Sequence, residues 1–314
     1  MVKSRELRLV SDRLNQIEPG DILLFFCARN ELQRLPFFFD YYRKIGVRHF
    51  IAVDNGSDDG TTTFLSTQPD CTLWVATGSY RSARFGMDWI NALLARYAVG
   101  HWAIIVDPDE FLVFPHQNVR PLRALLDWMD AGNIRSFGAL LLDMYPKGSF
   151  SASSYVSGEN PLDHSPYFDP QNYQSKLDRF YSNLWMQGGP RQRIYYADRP
   201  ERAPALNKIP LVKWSKQMVF RSSTHQLLPR GLNVTYSQSA IPRPCGCLLH
   251  FKFLPSLKQK AEEEQKRREH YQYGQEYIEY LKRPDALFWT DHSAQFQNWQ
   301  QLEELGLMSR GDWV

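Results

Sequence analysis

The four apolar residues Ala103 to Val106 run straight into Asp107-Pro108-Asp109-Glu110, and this junction limits what the chain around it can be. A run so short and so apolar reads as a strand buried on both faces. Pro108 has no amide hydrogen to give a central ladder, so the strand has to end where the acids begin. In an open parallel sheet the carboxyl edge of the strands is where ligands sit. Carboxylates gathered there repel one another unless a cation joins them, and hard oxygen ligands suit Mg²⁺ or Mn²⁺ bound along with substrate phosphates. An Asp-x-Asp tripeptide alone is equally at home in a solvated turn, so the flanking sequence has to decide.

The flanks repeat one pattern of apolar run, polar loop and amphipathic segment. Asp21 to Cys27, between Pro19-Gly20 and Arg29-Asn30-Glu31, reads as a buried first strand. Leu32 to Gly46 follows as a helix, with Pro36 in its first turn, Phe38, Tyr42 and Ile45 on its apolar face and Gly46 ending it. His49 to Val53 is a second strand, delivering Asp54-Asn55-Gly56-Ser57-Asp58-Asp59-Gly60-Thr61. A strand at Leu73 to Ala76, a helix at Met87 to Tyr97, the strand ending at Asp107, a helix at Pro121 to Asp130 and a strand at Ala139 to Leu142 continue the alternation. That order predicts an α/β fold with a Rossmann-like, mostly parallel sheet flanked by helices. Ser149 to Pro170 reads as a long loop, while Arg193 to Tyr196, Met218 to Arg221 and Cys247 to Phe253 read as strands. Ser256 is an N-cap candidate for a charged helix reaching Leu281. The resulting division is an amino-terminal extension over 1–20, a main domain over 21–255 and a carboxyl-terminal helical region over 256–314.

Composition narrows the partners. A net charge of +3 with mixed signs gives no basis for nucleic acid as the main partner. Four cysteines without a C-x-x-C pair fit a reduced, cytoplasmic compartment. No secretory leader pattern and no run near the ~18 apolar residues of a membrane span is visible. Contact with the inner face of a membrane stays open through the tyrosines at 271, 273, 277 and 280 beside the charged tail, although its balanced charge argues against strong lipid attraction.

Three loops are expected at one sheet edge: Ala28-Arg29-Asn30-Glu31, Asp54 to Thr61, and Asp107 to Glu110. In order and spacing, residues 21 to 115 resemble the GT-A glycosyltransferases of family 2, in particular the family 2 and family 92 subgroup with an Asp-x-Asp-Glu-Phe motif. The resemblance implies a GT-A domain over 21–255 that moves a sugar from a nucleotide diphosphate sugar, foremost a UDP-sugar, to a hydroxyl of a glycan or glycoconjugate, with inversion and in surface polysaccharide synthesis. It implies that Arg29, Asn30, Glu31, Asp54 and Asn55 surround the nucleotide. Many members carry a second acid where this chain has Asn55, which bears on the choice of base. Asp107 is implied against the ribose or the metal, and Asp109 on a Mn²⁺ or Mg²⁺ ion that neutralises the diphosphate.

Arg81 and Arg84, in the segment leading to the metal strand, are candidate phosphate contacts. The carboxyl half resembles the subgroup more loosely, in the order Lys208, His225, His250-Phe251, Lys258 and Lys260. One of His225 and His250 is implied as a metal ligand, and Lys208, Arg191 and Arg193 are candidates for diphosphate or an acidic acceptor. An inverting transfer needs a general base. The usual Glu-Asp motif is missing in plain form, which leaves Asp143, at the end of its strand, ahead of Asp163, Asp198 and Glu201. Two other readings compete. One is a nucleotide- or glycan-binding protein without turnover. The other is a haloacid-dehalogenase-type phosphohydrolase, disfavoured because Phe111 replaces the expected Thr or Val and the motif comes after three strands.

Overall fold

The computed structural model describes residues 3–149, 155–234, 243–255, 257–267, 269, 271–283 and 285–314. The amino half runs β1 (Leu7–Ser11), β2 (Ile22–Ala28), α1 (Leu35–Ile45), β3 (His49–Asp54), α2 (Thr61–Thr67), β4 (Cys71–Ala76), α3 (Met87–Tyr97), β5 (Trp102–Ile105), β6 (Glu110–Val113), α4 (Leu122–Ala131) and β7 (Ser136–Asp143). The carboxyl half adds α5 (Pro161–His164), β8 (Tyr167–Phe168), β9 (Tyr173–Asp178), β10 (Asn183–Gly188), α6 (Gly189–Tyr195), β11 (Asn207–Lys213), β12 (Val219–Ser222), β13 (Gln226–Leu228) and β14 (Gly246–His250). It closes with α7 (Leu257–Arg267), α8 (Tyr271–Lys282), β15 (Ala294–Gln295) and α9 (Trp299–Glu304).

Nine strands form the central sheet in the order β1-β4-β3-β2-β5-β11-β7-β14-β6. β2, β3, β4, β5, β7 and β14 point one way, and β1, β6 and β11 run against them. The sheet is therefore mostly parallel, and helices cover both faces. Leu24 and Phe26 of β2 face the aromatic side of α1 and the leucines of α4, while Leu23 and Phe25 face Ile90, Leu93 and Leu94 of α3. This period of two along an all-apolar strand is what burial on both sides requires.

Helix α1 fixes the acid turn from behind. Its Tyr42 hydroxyl donates to the Glu110 carbonyl at 2.8 Å and accepts from the Leu112 amide at 3.2 Å. Tyr41 donates to the Leu112 carbonyl at 2.6 Å. Pro36 sits in the first turn of α1, and Gly46 ends it with a left-handed φ of 110°.

Several expectations change. Arg193 to Tyr196 is not a strand: Gly188-Gly189-Pro190 starts a helix, α6, in which proline suits the first turn. The single charged helix expected from 256 to 281 is two helices, α7 and α8. Ser256 lies outside the described residues, as does the side chain of Lys258. The long loop from Ser149 holds α5 and β8 in its described part. Leu7–Ser11 pairs with β4 as an edge strand. At the other end, Trp299, Leu302, Met308 and Trp313 join the main core. Among the described residues no helix is long and apolar enough to cross a membrane, and the four cysteines are free thiols.

Candidate active site

Three strands deliver the central group in register. His250 of β14 stands opposite Glu110 of β6 and opposite Asp143 of β7. Between β5 and β6 the Glu110 amide donates back to the Asp107 carbonyl at 3.0 Å, with Pro108 in the position where a turn favours proline. The Phe251 amide donates to the Asp109 carbonyl at 2.8 Å, tying the turn to the end of β14. His250 is thereby set between two carboxylates: Nδ1 lies 2.6 Å from Asp143 Oδ1 and Nε2 lies 3.5 Å from Asp109 Oδ2. Arg191 of α6 donates from Nε to the other Asp143 oxygen at 2.7 Å and from Nη1 to Glu276 at 3.0 Å. Lys252 reaches the same Glu276 oxygen at 3.2 Å.

Charge pairing outweighs burial along this chain of groups. Burial alone would raise the Asp109 carboxyl, but His250, Arg34 and Lys260 hold it well below its ordinary value. Burial would likewise raise Asp143, and Arg191 with His250 pulls it down. Burial would lower the His250 imidazole, yet Asp109 and Asp143 keep it above its usual value.

Asp109 and His250 open onto a cavity of about 210 Å³. Its wall includes the basic side chains of Arg29, Arg34, Lys252, Lys260 and Arg267, and also Asn55. Helix α7 closes one side with residues spaced three and four apart, which share a helix face. Lys260 pairs with Glu31, Glu263 accepts from Arg29 at 2.8 Å and from the Asn30 amide group at 3.2 Å, and Arg267 reaches Asn55 Oδ1 at 3.4 Å. Burial, with Arg34 nearby, pushes the Lys260 ammonium down.

The loops after β2 and β3 hold each other. Arg29 donates to the Asn55 carbonyl at 2.7 Å and also reaches the Gly56 carbonyl. Asn30, in the left-handed region at φ 52°, accepts from the Asp58 amide at 2.9 Å. Asp54 is buried and does not line the cavity; its carboxylate accepts from the Ser57 amide and hydroxyl and from Thr62. Asn55 does line it, with its amide group held by the Ala76 and Gly78 carbonyls at 3.2 and 3.1 Å. Glu31 stands in the wall, shared between Arg34 and Lys260.

Other candidates sit elsewhere. Arg84 pairs with Asp88 and donates to the Arg221 carbonyl at 2.9 Å, outside the cavity wall. Arg81 gives its backbone amide to Glu269 at 2.9 Å, and Arg193 pairs with Asp169 at 3.0 Å. Lys208 is buried against Glu110 at 2.8 Å, with Asp107 at 3.9 Å. His225 is away from the cavity wall, with Nδ1 2.6 Å from the Asn207 carbonyl. Asp143 is 1 % exposed and both its oxygens are engaged. It therefore orients His250 and has no open face for an acceptor hydroxyl. Asp163, Asp198 and Glu201 do not line the cavity.

Asp107 differs from Asp109. Its side chain is 56 % exposed. Loss of surrounding water and the charges of Glu110 and Asp109 push its carboxyl upward; the water it keeps makes that push weaker than full burial would.

Arg34, Glu263, Arg267 and Glu276 escaped the sequence reading. The 260, 263, 267 spacing on one helix face was the available signal for two of them. Nothing local in the sequence pointed to Arg34 or Glu276.

Among the described residues no three His, Cys, Asp or Glu side chains converge into a ready metal shell. Asp109 and His250 supply one oxygen and one nitrogen donor. A divalent cation there would complete its shell with phosphate oxygens and water, the common arrangement for Mg²⁺ beside a phosphorylated substrate.

No family model matches the chain, and no curated protein does. Among solved structures it is similar to 4-diphosphocytidyl-2C-methyl-D-erythritol synthase, at 14% identity over 44% of this chain and 68% of that one, with a TM-score of 0.26. It is also similar to a Bacillus anthracis protein assigned as a glucose-1-phosphate thymidylyltransferase, in complex with a sucrose, at 8% identity over 91% and 93% of the two chains and a TM-score of 0.32. UTP-bound UGPase from Acinetobacter baumannii gives 8% identity over 84% and 99%, with a TM-score of 0.31. Superpositions this loose carry no weight for the chemistry of this chain.

Proposed function

We propose that the cavity binds a nucleotide diphosphate sugar together with a divalent cation and transfers the sugar to a hydroxyl of a glycan or glycoconjugate. The observation that carries this reading is the Asp109, His250 and Asp143 file opening onto a cavity ringed by cationic side chains. A carboxylate and an imidazole side by side suit Mn²⁺ or Mg²⁺, and the surrounding arginines and lysines suit a diphosphate. The loops that carry the GT-A family 2 resemblance contribute to this wall beside the end of β14 and α7.

Asp109 and His250 would hold the cation, which on binding neutralises the charge that builds up on the departing diphosphate. Asp143 holds the Nδ1 proton of His250, so a cation would displace only the proton on Nε2, the nitrogen beside Asp109. Lys252, Lys260 and Arg267, which line the cavity with Asn55, would receive phosphate oxygens, and Asn55 would meet the nucleoside. Asp107, partly wet and in the cavity wall, would meet the ribose or the sugar. UDP is the first nucleotide to try, on the family resemblance.

The test is calorimetry with UDP-, GDP- and CDP-sugars, with and without Mn²⁺, on the natural protein and on Asp109→Ala. One donor should bind in a metal-dependent way, and Asp109→Ala should weaken it at least ~100-fold, the loss of about 2.7 kcal/mol. Binding of no donor, or equal binding by the variant, would overturn the reading.

A further inference from the structure

A second, smaller cavity of about 50 Å³ adjoins the first and shares Cys27, Tyr80 and Asp107 with it. A diphosphate held by Asp109 and His250 would bring its sugar toward Asp107, which lines both spaces. Resting on the donor reading above, we propose that this cavity receives an acetamido substituent of the transferred sugar.

The lining is divided by chemistry. Met87, Ile90 and Ile105 make an apolar floor, all of them buried in the core. Lys208 and Thr224 make the polar end. Thr224 is only 4 % exposed, and its hydroxyl has no hydrogen-bond partner among the described residues. A buried hydroxyl without a partner is uncommon in a folded protein and points to an occupant. Lys208 gives one bond to Glu110 at 2.8 Å and carries further donor hydrogens. Glu110 and Asp107 on the same wall repel an anionic substituent.

Size and polarity then select the group. A space of about 50 Å³ holds a few waters' worth of atoms, too small for a whole sugar ring. A hydroxyl would satisfy Thr224 but leave the apolar floor uncovered. A methyl would cover the floor and leave Thr224 unpaired. An acetamido group has both a carbonyl oxygen to accept from Thr224 or Lys208 and a methyl to lie on the floor. The close packing of Gly86 fixes the wall: a Cβ there would stand 2.7 Å from Cys27 Sγ, and its φ is +76°.

The experiment is calorimetry in Mn²⁺ with matched glucose and N-acetylglucosamine conjugates of UDP, GDP and CDP, beside the free diphosphates. For the base that binds, the acetamido conjugate should bind at least ~10-fold more tightly than the glucose conjugate. Thr224→Val should bring that ratio close to one, and Thr224→Ser, which keeps the hydroxyl, should retain it. A diphosphate that binds without any preference between its two conjugates sinks the acetamido cavity and leaves the donor reading standing. A preference that survives Thr224→Val also overturns it. Failure of every diphosphate to bind sinks both.

Discussion

The strand-borne and helix-borne sides of the cavity use the same residue types to opposite ends. On the strand side Asp143 and His250 are 1 and 7 % exposed at the side chain, and Arg191 of α6, which pairs with Asp143, is 4 % exposed. On the α7 side the pairs Arg29 with Glu263 and Arg267 with Glu263 keep 24 to 31 % of their side chains in solvent. Buried charges tolerate one geometry, because a broken pair leaves a charge with neither water nor partner. Half-wet pairs cost little to exchange. The first arrangement holds the His250 imidazole still, and the second could hand its cations from carboxylates to the diphosphate of the proposed donor.

The largest test of this contrast removes the hinge of the buried file. Asp143→Ala leaves Arg191 and His250 facing one another without their shared carboxylate, and should cost about 3–5 kcal/mol in guanidinium unfolding. Asp143→Asn, which keeps an oxygen for one of the two, should cost less while still weakening the proposed Mn²⁺ binding. A loss below about 1 kcal/mol for Asp143→Ala would put the strand side in the same class as α7.

The same contrast explains what could be read from the chain alone. The parallel strands were legible because burial on both faces demands continuous apolar runs, as in Leu23 to Phe26 and Phe50 to Val53. The acid turn was legible because Pro108 forbids the strand from continuing. Asp143 was rightly located at a strand end, but its employment depended on Arg191, 48 residues later, and on His250, 107 residues later. No local pattern announces such a partner. Arg193 to Tyr196 failed for the converse reason: the short run looked like a strand, and the helix was decided upstream by Gly189 and Pro190.

A middle-sized effect comes from His225, which lies outside the file and away from the cavity wall. Burial, reinforced by Lys208, lowers its imidazole from the usual 6.5 to about 3. The unfolded chain takes up the proton near pH 6.5 and the folded one only near pH 3, so the His225 contribution is intact above about 6.5 and is lost as pH falls through that window. The slope for one proton reaches about 1.4 kcal/mol per pH unit. Denaturant unfolding between pH 6.5 and 4 should show His225→Gln flatter than the natural protein by up to that amount per unit. Equal slopes would mean that His225 opens to water or is not desolvated as its surroundings imply.

The smallest effect on stability, and the sharpest on binding, belongs to Glu263. It accepts from Arg29 and lies 3.9 Å from Arg267, so it competes for cations that the proposed diphosphate would need. Glu263→Gln should lower stability by less than about 1 kcal/mol, as expected for half-exposed pairs. It should also tighten binding of a free nucleoside diphosphate, because the anion no longer displaces a carboxylate, and the gain should shrink as salt screens the competition. If Glu263→Gln instead weakens binding, the carboxylate acts by holding α7 in place over the cavity. The helix side would then be as fixed as the strand side, and the contrast between them would fail at the point where it was expected to matter most.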